Sequence, residues 1–169
     1  MEGLSDWGFH LRNVLLWGLV ATVVLTTVLQ GSQGLGLSRL SLPFLVGTML
    51  TPNRDRAIIF GFLAYTLGGW VFALLYYLTF YSLEVDSGWL GAALGLLHGA
   101  FLLVAVLPVL PHLHPRMASA YDGPTPERRL EPPGFLGLNY GWRTPLTTLL
   151  GHGLYGAILG VFYQVHSAH

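Results

Sequence analysis

The sequence predicts an all-α integral membrane protein, a bundle of four transmembrane helices, and three observations carry that prediction. Four long apolar stretches fill most of the 169 residues, and none contains Asp, Glu, Lys or Arg. The composition is 53% hydrophobic and 9% charged, with a mean hydropathy of +0.57; a soluble domain carries about a quarter charged residues. The arginines also fall in alternate connections, as they do in chains that weave through a bilayer.

A span needs roughly 20 apolar residues. The first candidate covers 14–30, the second 57–81, the third 89–110 and the fourth 145–165. The first is expected to be a retained helix and not a cleaved signal, because its flank is mixed in charge and no small-residue cleavage site follows it. The connection between the first two spans carries Arg39, Arg54 and Arg56, and that between the last two carries Arg116, Arg128, Arg129 and Arg143. The turn Ser82 to Gly88 has two acids, Glu84 and Asp86, and no base. The positive-inside rule therefore places both arginine-bearing loops in the cytoplasm and both termini outside, with Arg12 the lone exception. Tyr76, Tyr77, Tyr81 and Trp89 are expected at the outer interface, and Tyr140 and Trp142 at the inner one. Trp70 falls mid-span and needs a packing explanation.

Between the first two spans lies Ser41 to Leu50, too short to cross a bilayer. Ser41 suits an N-cap and Pro43 an early turn, so a short surface or re-entrant helix is expected on the cytoplasmic side. Pro108 and Pro111 are expected to end or kink the third span, and Pro145 opens the fourth at its first turn. Asp122 to Pro133 reads as an extended loop.

Sliding the second half back by about 87 positions aligns Gly47 with Gly134, Arg56 with Arg143, Gly69 with Gly156 and Tyr76 with Tyr163. A duplicated two-helix unit is expected, with repeats at 10–81 and 88–165. An even number of spans per copy gives both copies one orientation.

Lipid tails are as apolar as leucine, so helices in a bilayer associate through close packing of small residues. Gly91, Gly95 and Gly99 recur every fourth residue in the third span, and Gly156 and Gly160 do so in the fourth, with Gly153 near the same face. These glycines are the expected helix contacts. His98 and His152 lie on the same faces and should point into the bundle, where an ionisable side chain is a functional candidate. Two roles are open to them: hydrogen bonds across the helix interface, or bis-histidine ligation of haem b. Tyr65 aligns with His152 in the other copy. His112 and His114 form a second candidate, a His-x-His metal pair, with Asp122 and His10 as the only further ligands considered. His166 and His169 form no recognisable site.

Several functions are disfavoured. No carboxylate or base stands at mid-membrane for ion coupling, and no charged ring for ion selection. There is no nucleophile–base pair and no phosphate-cradling motif; Thr22, Thr26 and Thr27 are expected to bond back to their own helix. Eight arginines balance eight acids, so nothing draws the chain to nucleic acid. Cysteine is absent, which excludes disulfides and thiolate metal sites.

The segment from Leu42-Pro43 to Leu50, the stretch Gly95-Leu96-Leu97-His98-Gly99 and the run His152-Gly153-Leu154-Tyr155-Gly156 to Gly160 together cover much of the chain. In them the sequence resembles a loose group of small four-span bacterial inner-membrane proteins described only as domains of unknown function. The resemblance implies a bacterial inner-membrane location and no particular activity. The expectation is a non-enzymatic accessory or structural subunit of a larger membrane complex, partnered by the lipid bilayer and by another membrane protein or a second copy. A haem b electron carrier using His98 and His152 is the alternative, and a small-molecule or lipid-binding permease the second alternative.

Overall fold

The computed structural model describes residues 2–119 and 123–163, with side chains from Gly8 onward. Asp122, Val165, His166 and His169 lie outside the described residues. The protein is all-α: helices α1 (Glu2–Gly34), α2 (Leu42–Leu50), α3 (Arg54–Leu83), α4 (Gly88–Phe101), α5 (Leu107–Leu113) and α6 (Thr144–Phe162). Four stretches are long and apolar enough to cross a membrane: Gly8–Gly34, Arg54–Leu83, Gly88–Leu113 and Thr144–Phe162. Each predicted span is found, most of them extended past the apolar run, because a helix keeps its own backbone satisfied after its side chains turn polar.

Local chemistry sets the helix ends. The Asn53 side chain accepts from the Arg56 N–H at the start of α3, and Ser87 accepts from Leu90 at the start of α4. Ser41, the expected cap of α2, makes no side-chain cap bond; its carbonyl simply accepts the first helical bond, from Leu45. α3 stops at Glu84, whose left-handed φ of 53° turns the chain into α4.

The third span does not end at its prolines. It opens into one wide turn, Leu102–Val106, where the Leu107 N–H reaches back five residues to the Leu102 carbonyl. α5 then runs on through Pro108 and Pro111 to Leu113. A proline ring collides with the carbonyl four residues earlier, and a widened turn just before Pro108 relieves that collision. The segment before α6 forms a short 3₁₀ turn, Phe135–Tyr140, bent by positive φ at Leu136 and Gly137. From Gly123 to Pro133 the loop is irregular except for a single bridge between Met117 and Leu130.

Contacts define how the helices run. α1 is antiparallel to α3, with Gly18 admitting Trp70 and Ala73, and Thr22 set against Gly69. It is also antiparallel to α6, where Trp17 stacks on Phe162 at 4.0 Å and Leu25 fills the space over Gly151. α3 and α6 are parallel: the Tyr155 hydroxyl donates to the Gly69 carbonyl (2.7 Å) and the Tyr163 hydroxyl to that of Ala73 (3.1 Å). The glycine-rich α6 sits innermost, half of its apolar window buried against 11% for α3. A thin helix can be surrounded on several sides, which is why the small residues concentrate there.

Trp70 is explained by packing: its indole N–H donates to the Leu15 carbonyl at 2.9 Å. Thr22, Thr26 and Thr27 bond back to carbonyls four residues earlier, as expected. The aromatic assignment needs correcting. Tyr81 and Trp89 are exposed, but Tyr76 and Tyr77 are buried against Phe80, Tyr155 and Tyr163. Rotation about the helix axis is not readable from a cluster of tyrosines in sequence. Trp142 is exposed, whereas Tyr140 is buried and donates to the Glu131 carbonyl.

Candidate functional site

Close packing of α4 on α6 creates the central site. A methyl group on Gly91 would lie 2.8 Å from the carbonyl carbon of Gly156, and one on Gly95 the same distance from that of His152. Gly156 meets the Gly91 carbonyl and Gly160 the Ser87 carbonyl in the same way. Gly99 faces the His152 side chain at 3.2 Å, while Gly153, expected on this face, has ordinary room beside Leu96. With the backbones touching, His98 and His152 come together, their rings edge to face with centroids 4.8 Å apart.

The two imidazoles differ. His152 Nδ1 lies 2.8 Å from the Thr148 carbonyl oxygen. A carbonyl only accepts, so Nδ1 carries the proton and Nε2 of the neutral ring is left as an acceptor. His98 stacks on Phe72 at 4.0 Å, and its Nδ1 is buried without a hydrogen-bond partner. The Tyr76 hydroxyl, on a ring close to His98, is likewise buried and unpaired.

Both histidines line a cavity of about 180 Å³ where all four spans meet. Thr22, Tyr65, Gly68 and Tyr155 supply other parts of its wall, and Leu42 and Val46 of α2 complete it. Thr22 and Tyr155 spend their hydroxyl protons on backbone carbonyls. The lining is therefore largely apolar, with the two imidazoles, His152 and His98, as its main polar handles. α3 and α4 touch chiefly through the Phe72–His98 ring pair. Beyond that pair an open groove, lined by Leu75, Thr79, Leu94 and Leu97, runs along the outside of the same two helices.

Haem b does not fit between His98 and His152. Axial ligands must face each other across the iron with the macrocycle between them, yet these rings are in contact and the helices touch beside them. The cavity is also close to the roughly 150 Å³ that holds one benzene, far below the size of a porphyrin. The bis-histidine alternative gives way to a histidine pair in direct contact, and the bond across the interface is not made by His152 Nδ1 either, which turns back to Thr148 on its own helix.

The His-x-His pair is likewise not brought together as a metal site. His112 is exposed while His114 is buried. His114 Nδ1 accepts from the Arg116 N–H at 3.1 Å, and Nε2 donates to the Leu45 carbonyl at 3.0 Å, with the Thr48 hydroxyl 3.1 Å away. Nε2 ties α2 to the end of α5 while Nδ1 is spent on the local Arg116 N–H, and no group of three or more His, Asp or Glu suited to a metal occurs among the described residues. His10, the further ligand considered, packs against Tyr77 near the opposite end of α3.

Burial lowers the His114 pKa below its ordinary value of 6.5, and the Arg116 charge adds to this while the bond to Leu45 opposes it. Below pH 6.5 the unfolded chain takes up a proton that the folded site resists, so His114 contributes its full stability above that pH and loses it as the pH falls. The thermal midpoint of the wild type should drop more steeply than that of His114→Asn between about pH 7 and pH 5. Parallel curves would refute the assignment.

Sequence reading missed the most extensive contact of α2. Its Gly47 lies against the backbone of Ala57, and Gly61 of α3 against that of Pro43. Both glycines were visible, but nothing in their spacing shows that a nine-residue segment folds back along the next span. The loops at this end are joined by a Ser38–Thr144 hydroxyl bond of 2.8 Å and an Arg39–Glu131 ion pair of 3.0 Å. Comparison with family models, with curated proteins and with solved structures finds no match to this chain.

Proposed function

We propose that the protein binds a small, uncharged, mainly apolar molecule within the bilayer, in the cavity beside His98 and His152, and passes it between that cavity and the surrounding lipid. The reading rests on the cavity itself: apolar walls, the imidazole acceptor of His152 beside the His98 ring, and a volume of about 180 Å³. That space suits a molecule of one-ring size carrying a single hydrogen-bond donor for His152 Nε2. Access is from the side, where the Phe72–His98 stack closes the gap between α3 and α4. Rotation of Phe72 would join the cavity to the outer groove.

A one-ring phenol tests this. In lipid nanodiscs, 4-fluorophenol should give a distinct, saturable bound fluorine resonance with the wild-type protein. His152→Leu removes the acceptor and Gly68→Leu fills open space in the wall, since nothing lies near a side chain added at Gly68. Each should abolish the bound resonance while leaving the thermal midpoint within a few degrees. A signal that grows linearly with probe, equal in all three proteins, would mean partition into lipid and the end of this reading.

A second reading, accessory subunit of a larger complex, has its own support. Leu63, Leu67, Val71, Leu74 and Leu78 form a continuous exposed row along α3, the least covered span. If a protein covers this row, a photo-crosslinker at Leu67 should capture one partner, or a second copy of the chain, in stoichiometric yield; lipid adducts alone would reject it.

The arginine-rich end is assigned to the cytoplasm of a bacterial inner membrane, on charge distribution and the resemblance described above. The parallel course of α3 and α6 agrees with a duplicated two-helix unit. The two copies have diverged in packing: Gly95 meets α6 beside His152, whereas Gly18 meets α3 beside Ala73, about two turns further along in the aligned frame.

A further inference from the structure

At the arginine-bearing end a second concavity, sharing no lining residue with the central cavity, opens between α1, α2 and α3. It measures about 690 Å³ and has two zones. Arg39 and Arg54 stand at its mouth, and Ile59, Phe62 and Leu63 line its inner part, with Gln30 of α1 at their level. Two arginines and no carboxylate contribute to the wall. Arg54 opens α3 and Leu63 lies nine residues along it, so at about 1.5 Å per residue the groove descends about 14 Å. That is close to half the roughly 30 Å hydrocarbon thickness of a bilayer. A cationic rim at headgroup depth above an apolar trough reaching toward the midplane is the shape of a phospholipid, one charged head above its acyl chain.

From this geometry we infer that the groove is a binding site for an anionic phospholipid of the leaflet on the arginine-bearing side. Charge selects the lipid. The two connections at this end carry seven arginines against four carboxylates, whereas the Ser82–Gly88 turn at the other end has only acids. The arginines play unequal parts. Arg39 is engaged by Glu131 at 3.0 Å and also donates to the Asn139 carbonyl, so it supplies a fixed, partly compensated charge. Arg54 is exposed and makes no such ion pair among the described residues, which leaves its guanidinium to fork around phosphate oxygens. On the far side of Arg54 lies a shallower depression lined by Arg116 and Arg129 but also by Glu127; Arg116 there already donates to the Thr48 and Met49 carbonyls. Arg54 therefore sits in a positive field with the least competition for its own donors. A zwitterionic lipid would bring its ammonium group into that field and bind less well. Free phosphate would lack the acyl chain that fills the trough.

Native mass spectrometry of the detergent-purified protein, titrated with equal mixtures of dioleoylphosphatidylglycerol and dioleoylphosphatidylcholine, tests the site. The expected result is at least tenfold preference for the glycerol lipid in the first adduct, lost in Arg54→Glu and reduced in Arg54→Gln. Arg12→Gln, at the opposite end of the bundle, should keep it. sn-Glycerol 3-phosphate, which has the charge without the tails, should neither bind nor compete. Equal retention of the two lipids, an unchanged preference in Arg54→Glu, or competition by sn-glycerol 3-phosphate would each overturn the inference. Because Arg54 lies outside the central cavity, Arg54→Glu should retain the bound 4-fluorophenol signal, so this site and the cavity reading fail separately.

Discussion

Gly95→Leu should leave the protein without a stable fold in detergent, and Gly91→Leu and Gly156→Leu should do the same. At each position the obstacle is a facing carbonyl group, 2.8 Å from the added carbon at its own carbon atom and nearer still at its oxygen. Side chains can change rotamer to make room, but a helix backbone can only move as a whole. Ordinary overpacking costs about 1–3 kcal/mol, and separating α4 from α6 should exceed that, because it also parts His98 from His152 and opens the cavity wall. The glycines should rank by what they face. Gly99→Ala, against the movable His152 side chain at 3.2 Å, should be milder, and Gly153→Ala, with Leu96 no closer than 3.5 Å, should be close to neutral. Thermal midpoints across this series check the ranking. Equal effects at Gly95 and Gly153 would show that the helices do not cross where the structure places them.

The second large effect is expected at α2. Gly61→Leu drives a side chain into the Pro43 carbonyl and should lift α2 away from α3, while the contacts between the four spans stay intact. The chain has no cysteine, so a single introduced thiol reports cleanly. Leu45 is a buried residue of α2, so Leu45→Cys should react slowly with a maleimide in the otherwise wild-type protein. Adding Gly61→Leu should speed labelling at least tenfold, which corresponds to about 1.4 kcal/mol in the exposure equilibrium. Leu42 and Val46 belong to the cavity wall, so the same substitution should also weaken 4-fluorophenol binding. Unchanged labelling would mean that the Gly47–Gly61 crossing does not hold α2 in place.

The spans were legible because a long uncharged run has essentially one solution in lipid, a helix that satisfies its own backbone. The facing of α4 and α6 was legible for a related reason. Gly91, Gly95 and Gly99 mark a face thin enough for backbone contact, and His98 and His152 ride on those faces. What escaped depends on distances between elements. Spacing along one helix does not say whether two histidines will leave room for a macrocycle or touch at 4.8 Å. Nor does it say that Tyr76 and Tyr77 turn inward while Tyr81, four residues on from Tyr77, turns out, since tyrosines clustered near a span's end look alike in sequence. The proline pair suggests an ending or a kink because the rule for Pro108 assumes a regular turn before it, and the wide turn at Leu102–Val106 removes that assumption. His114 is, in sequence, only a candidate for half of a chelate. Its true partners, Leu45 and Thr48, lie 69 and 66 residues away and belong to a segment whose docking no local pattern announces.

The uncharged interior also bears on how the protein responds to an energised membrane. An electric potential does work only on charge that moves through it, about 2.3 kcal/mol per elementary charge for each 100 mV. Within the stretches 14–30, 57–81, 89–110 and 145–165 there is no permanent charge to be pushed. If the cavity admits a neutral molecule, as proposed, neither that molecule nor these four stretches would offer the potential a permanent charge to act on.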